Sequence, residues 1–131
     1  MLYGTAAGAE TLSGRWYAEG VEDGQYLQWI ENNGDDGTFT IAIRFINGCD
    51  VSQSETETGS WRYADHRLTK WTRTVNYRRV PDTDYYHDTW LATPVDSDHV
   101  QLFDVKTRVT WAASRVGHDF VFPAPSHCES S

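Results

Sequence analysis

The chain has 131 residues, of which 39% are hydrophobic and 14% aromatic, which is typical of one compact domain. It has 11 Lys plus Arg against 19 Asp plus Glu, a formal net charge of -8, and this excludes a nucleic-acid binder because such proteins present a basic face to phosphates. No apolar run approaches the ~18 residues that span a bilayer, so we expect a soluble protein without a transmembrane segment.

Apolar and polar residues alternate along most of the chain, as in half-buried β-strands. Phe39, Ile41 and Ile43 share one face of the clearest strand, and the turn-rich stretch 32–37 predicts a hairpin loop before it. Turn signals separate about eight predicted strands, at residues 14–20, 25–31, 37–46, 54–63, 67–77, 84–92, 99–104 and 107–116. We therefore predict an all-β fold, a single antiparallel up-and-down barrel, because closure removes the exposed edges of a sheet.

The prediction is one domain over residues 1–131, with an N-terminal arm at 1–11 and a C-terminal tail at 117–131 that packs across the outside. The first ten residues lack the basic region and long apolar core of a signal peptide, although the small residues at 6–9 resemble those that flank a cleavage site.

A Gly-x-Trp motif, Gly14 to Trp16, opens the first predicted strand. On an eight-strand barrel this motif resembles the lipocalin-like, or calycin, group, and the short strands resemble its smaller bacterial members. The resemblance covers residues 12–116. It implies that Trp16 closes one end of the barrel and that a basic residue near the last strand, here Arg115, packs over the indole as a cation-π contact.

Cys49 and Cys128 lie far apart in the sequence, which excludes CxxC redox and zinc-clip spacings. From the residues alone they form either a disulfide or two free thiols. The lipocalin-like resemblance implies the disulfide, since many members tie the tail to a mid-barrel strand. A disulfide would place the protein in a periplasmic or secreted setting.

Aromatic and aliphatic residues on the predicted inner faces indicate a small-molecule pocket in the barrel. The predicted ligand-binding residues are Phe39, Ile41, Ile43, Glu57, Trp61, Trp71, Tyr86, Trp90 and Trp111. Glu57 shares the phase of Trp61, so it faces the lumen if Trp61 does. Gly59 between them can hold a bulge that reverses this phase and turns Glu57 outward.

The sequence offers no nucleophile elbow, no phosphate-binding glycine loop and no paired histidines, so no catalytic residue, metal site or cofactor is predicted. The predicted function is binding of a small hydrophobic molecule in the lumen by a monomer or homodimer. One alternative is a cofactor-independent enzyme, a cyclase, isomerase or lyase, acting on such a molecule. A second alternative is a haem-binding barrel, for which His118 is the residue placed to act as ligand.

Overall fold

A computed structural model describes residues 12–128. It contains nine strands: β1 (Gly14–Glu22), β2 (Gln25–Asn33), β3 (Thr38–Asn47), β4 (Asp50–Ala64), β5 (Arg67–Val75), β6 (Arg78–Arg79), β7 (His87–Asp96), β8 (His99–Asp104) and β9 (Thr110–Arg115). Two short 3-10 turns, Asp84–Tyr86 and Ser126–Cys128, complete the described secondary structure. The all-β prediction is confirmed, and the predicted N-terminal arm at 1–11 lies outside the described residues.

Eight of the strands form a closed antiparallel barrel in which each strand pairs with the next, in the order β4-β3-β2-β1-β9-β8-β7-β5. Pairing between β4 and β5 closes the ring. The two-residue strand β6 was not predicted, and it pairs only with the end of β5. The first part of β5, Arg67 to Trp71, pairs with β7. The last two residues of β5, Thr74 and Val75, pair with β6 in a hairpin.

Tight turns between neighbouring strands set the up-and-down order. Asp23 and Gly24 connect β1 to β2, and Asp65 and His66 connect β4 to β5, all four with positive φ. Two successive left-handed residues give the two-residue turn whose twist matches that of antiparallel strands. Because these two turns are short, the pattern of inward and outward side chains in one strand fixes the pattern in the next.

Trp16 lies at the end of the barrel where β1 begins, here named the closed end, and it contacts Arg115, the basic residue that the resemblance singled out. Its side chain is buried, its Nε1 donates to the carbonyl of Leu12 at 3.1 Å, and the Arg115 guanidinium lies 4.4 Å from the centre of its ring. Trp16 and Arg115 are directly paired between β1 and β9. Gly14 is required beside them, because its φ is 101° and an added Cβ would lie 2.7 Å from Nη1 of Arg115.

The C-terminal tail runs along the outside of β1, β2 and β3, from the closed end of the barrel to the opposite, open end. Arg15 donates to the carbonyl of Phe120 at 2.6 Å, and Gln28 donates to that of Pro123 at 2.9 Å. Farther along, Glu19 accepts from the backbone N–H of Ser126 at 3.1 Å. A disulfide between Cys128 and Cys49 then fastens the tail to the turn between β3 and β4.

Reduction of this disulfide is expected to lower the free energy of unfolding by about 2–4 kcal/mol, because the bridge closes a long loop in the unfolded chain. Thermal unfolding with and without reductant measures the effect. A thiol titration of denatured, unreduced protein should find none from these two cysteines. An unchanged melting temperature after complete reduction would contradict the expected contribution.

Candidate functional site

The open end of the barrel leads into a cavity of about 510 Å³. Its apolar wall is built from inward-facing residues of β2, β3, β7, β8 and β9, among them Leu27, Trp29, Phe39, Ile41, Leu102 and Trp111. Ile43, Phe45 and Trp90 continue this wall toward the opening. Trp29 and Trp111 meet edge to face, with ring centres 5.9 Å apart. The cavity therefore has a preformed aromatic wall of the kind that surrounds small molecules.

A buried ion pair crosses the lumen between β2 and β5. The Lys70 ammonium donates to Oε1 of Glu31, and the two residues are 7% and 3% exposed. Lys70 also lies 3.8 Å from the centre of the Trp90 ring and 5.2 Å from that of Phe39. Two opposite charges this far from water stabilise each other only as a pair, since either one alone would stay desolvated.

Glu57 extends from β4 into the cavity, where burial raises the pKa of its carboxyl to about 8. A hydrogen bond and the charge of neighbouring Glu55 raise the pKa further. The positive charge of Lys70 and the hydroxyl of Thr72, which donates to Glu57 at 3.3 Å, act in the opposite direction. Glu57 therefore carries a proton at neutral pH and is poised to exchange it.

Replacing Glu57 by glutamine is expected to stabilise the fold relative to wild type as the pH rises. The carboxyl titrates near its ordinary value of 4.5 in the unfolded chain and near 8 in the folded one. Between these values the folded state keeps a proton that the unfolded state has lost, so the stability due to Glu57 falls by about 1 kcal/mol per pH unit. Urea unfolding of both proteins from pH 5 to pH 9 tests this. A constant difference across that range would disprove the raised pKa.

Further acidic groups surround the opening of the cavity. Burial raises the pKa of Glu22, and the nearby charges of Asp104, Asp23 and Asp88 add to this effect. Lys106 contacts Asp88 at 3.1 Å and donates to the carbonyl of Asp84 at 2.6 Å. Carboxylates thus lie around the opening. Lys106 holds the 3-10 turn Asp84–Tyr86 in place beside them.

Seven of the nine predicted ligand-binding residues line the cavity: Phe39, Ile41, Ile43, Glu57, Tyr86, Trp90 and Trp111. The alternative phase, with Glu57 turned outward, is not observed. A register shift does occur next to Gly59, but the unpaired residue is Arg73 on β5 and β4 keeps its phase. An added Cβ on Gly59 would lie 2.0 Å from the carbonyl oxygen of Trp71, so the two strands approach closely there.

Trp61 and Trp71 do not line the cavity, which corrects their prediction as ligand-binding residues. Trp71 lies between Lys70 and Thr72, which both face inward, so alternation turns its ring outward, where it stacks on His87 at 4.8 Å. Trp61 packs against the core beside the β2–β3 loop and donates from its indole to Gly34 at 2.9 Å. Trp71 borders a separate outer groove of about 340 Å³, whereas Trp61 shares the inward phase of Glu57 on β4.

Sequence reasoning missed the polar members of the site: Glu22, Glu31, Lys70, Thr72 and Asp104. Glu31 shares the phase of Leu27 and Trp29 on β2, and this alternation was a signal that could have found it. Alternation did not indicate Lys70 and Thr72, because Trp71, the largest apolar residue of β5, faces outward.

Residues suited to a metal or haem do not gather in the lumen. No histidine lines the cavity among residues 12–128, and His118 is exposed on the tail. Over the same part of the chain, the one close cluster of potential metal ligands is Cys49, His127 and Cys128, whose sulfurs are bonded to each other. The position predicted for a haem ligand thus lies outside the barrel.

A scan against protein-family models and a search of curated proteins find no match to this chain. Within residues 12–128, no helix is long and apolar enough to cross a bilayer.

Proposed function

We propose that this chain is a lipocalin-like protein of the small bacterial type that binds a small molecule with an apolar or aromatic body inside its barrel. The observation that supports this most directly is the cavity of about 510 Å³ with its aromatic wall. Pockets of roughly 300–1,000 Å³ bury most of the surface of a small ligand. The closed end formed by Trp16 and Arg115 matches the arrangement implied by the Gly-x-Trp motif.

Tryptophan fluorescence during titration tests this function, since Trp29, Trp90 and Trp111 all border the lumen. Fatty acids, retinoid-like polyenes and small aromatic metabolites form the initial panel. A saturable change in emission is expected for a ligand that enters. If no compound in the panel, nor any of the phenylbutyl probes described below, gives saturation, the binding proposal is disproved.

Replacing Trp90 by alanine is expected to weaken a lumen ligand by about 1–3 kcal/mol through lost aromatic contact. Calorimetric titration of wild type and variant with the same ligand measures the loss. Trp71→Ala is the matched control, because it removes an outward tryptophan and should leave affinity unchanged. Equal losses in the two variants would argue against binding in the lumen.

An enzyme is a second candidate, favoured by Glu57, whose pKa near 8 suits a general acid or base at neutral pH. Mass analysis of each binding compound after incubation with wild type and Glu57→Gln distinguishes the two functions. A binder returns the compound unchanged from both proteins. An isomerase, cyclase or lyase converts it, and the variant loses this turnover.

The Cys49–Cys128 disulfide supports a periplasmic or secreted location, since such bonds persist in oxidising compartments. Alkylation of the protein directly in its cell of origin tests this proposal. Bridged cysteines are expected, and two alkylated thiols would contradict export.

A further inference from the structure

Carboxylates outnumber cationic groups along the cavity. The acidic residues that line it are Glu22, Asp23, Glu55, Glu57, Asp88 and Asp104, and its lysines are Lys70 and Lys106. Each lysine already has a carboxylate partner, Glu31 for Lys70 and Asp88 for Lys106. The other acidic residues along the cavity, Glu22, Asp23, Glu55, Glu57 and Asp104, therefore form no ion pair with these two lysines.

The aromatic wall already accommodates an ammonium group. The Lys70 side chain places its charge 3.8 Å from the centre of the Trp90 ring, inside the barrel. Such a contact is favourable because the face of an indole is electron-rich, and it gains strength where water is excluded. The contact shows that the face of an indole in this wall can hold an ammonium group, here one that is also paired with Glu31.

Resting on the proposed function, we propose that the ligand is an amphipathic organic cation, with its ammonium group beside Glu57 and its apolar body against Trp29 and Trp111. A carboxylate ligand would meet the like charge of the carboxylates at the opening, which disfavours it. A neutral ligand would leave the acidic groups uncompensated. A cationic ligand neutralises the charge of these acidic groups, and its apolar body packs against the aromatic wall.

Proton linkage gives this proposal a distinct signature. A cation beside Glu57 favours its ionised form, so binding releases a proton and affinity rises as the pH increases through about 8. The charged and titratable groups that face the lumen from the surrounding elements are Glu22, Asp23, Glu31, Glu55, Lys70, Tyr85, Tyr86, Asp88, Asp104 and Lys106. Glu22 also has a raised pKa, and it contributes to the linkage in the same direction.

The test compares three probes that share one apolar body: 4-phenylbutylamine, 4-phenylbutanol and 4-phenylbutyrate. At pH 7 the amine is expected to bind about tenfold tighter than the alcohol, and the carboxylate weakest of the three. The trimethylammonium form of the amine, which cannot lose its charge, should bind about tenfold tighter at pH 9 than at pH 6. Calorimetry measures each affinity.

Glu57→Gln should flatten this pH dependence and weaken the trimethylammonium probe at pH 9, while leaving the alcohol unchanged. Asp35→Asn is the matched control, because it removes one negative charge from an exposed loop away from the cavity. Alcohol or carboxylate binding as tight as that of the amine would overturn the cation proposal and leave the binding function standing. Retention of the pH dependence in Glu57→Gln would also overturn it.

Discussion

Replacing Lys70 by methionine is expected to lower the free energy of unfolding by about 3–5 kcal/mol, because the carboxylate of Glu31 would remain buried without its partner. The two side chains are almost fully removed from solvent. Methionine keeps a similar volume beside Trp90, so the loss would come mainly from the missing charge. Urea unfolding at pH 7 measures it.

The double variant Lys70→Met/Glu31→Leu separates the charge from the packing. Removal of both partners leaves no isolated charge, and most of the lost stability should return. If the double variant is as unstable as Lys70→Met, the ion pair is not the source of the loss.

Replacing Trp16 by alanine is expected to cost about 3–5 kcal/mol, because it deletes a buried indole and leaves a cavity at the closed end of the barrel. The guanidinium of Arg115 would also lose the ring on which it lies. Thermal and urea unfolding report the change, with circular dichroism to verify that the strands persist.

Trp71→Ala is the comparison for this second variant. Its ring lies on the outside, between His87 and the guanidinium of Arg73, so its removal should cost only about 1 kcal/mol. Comparable losses at the two positions would contradict the role of Trp16 as the closing residue.

The eight strands of the barrel and its closure were predictable from alternation and turn signals, and the contact between Trp16 and Arg115 was implied by the lipocalin-like resemblance. The alternation in β3 placed Phe39, Ile41 and Ile43 on the inner face because a one-residue slip would expose all of them together. Tight turns gave a second constraint, since each limits the pairing of its flanking strands. Local signals of this kind depend only on neighbouring residues.

The polar interior was not predictable in the same way. Glu31 and Lys70 belong to strands that do not pair, and only the closed barrel brings them together across the lumen. On β5 the apolar pattern predicts that Trp71 faces inward, but its ring lies outside, where His87 and Arg73 stabilise it. Hydrophobicity alone therefore placed Trp71 in the lumen and left out Lys70.

The attached tail supports one half of the barrel wall and leaves the other half without this support. On one side, the disulfide and the tail hold β1, β2 and β3 together from the closed end to the open end. On the other side, only Arg67 to Trp71 of β5 pair with β7, and the end of β5 pairs with β6 instead. Few main-chain hydrogen bonds therefore join β5 to β7. Pairing is sparser still between β1 and β9, where only Trp16 and Tyr17 have partners. Amide hydrogens along these two seams should exchange fastest, because local opening there breaks few bonds.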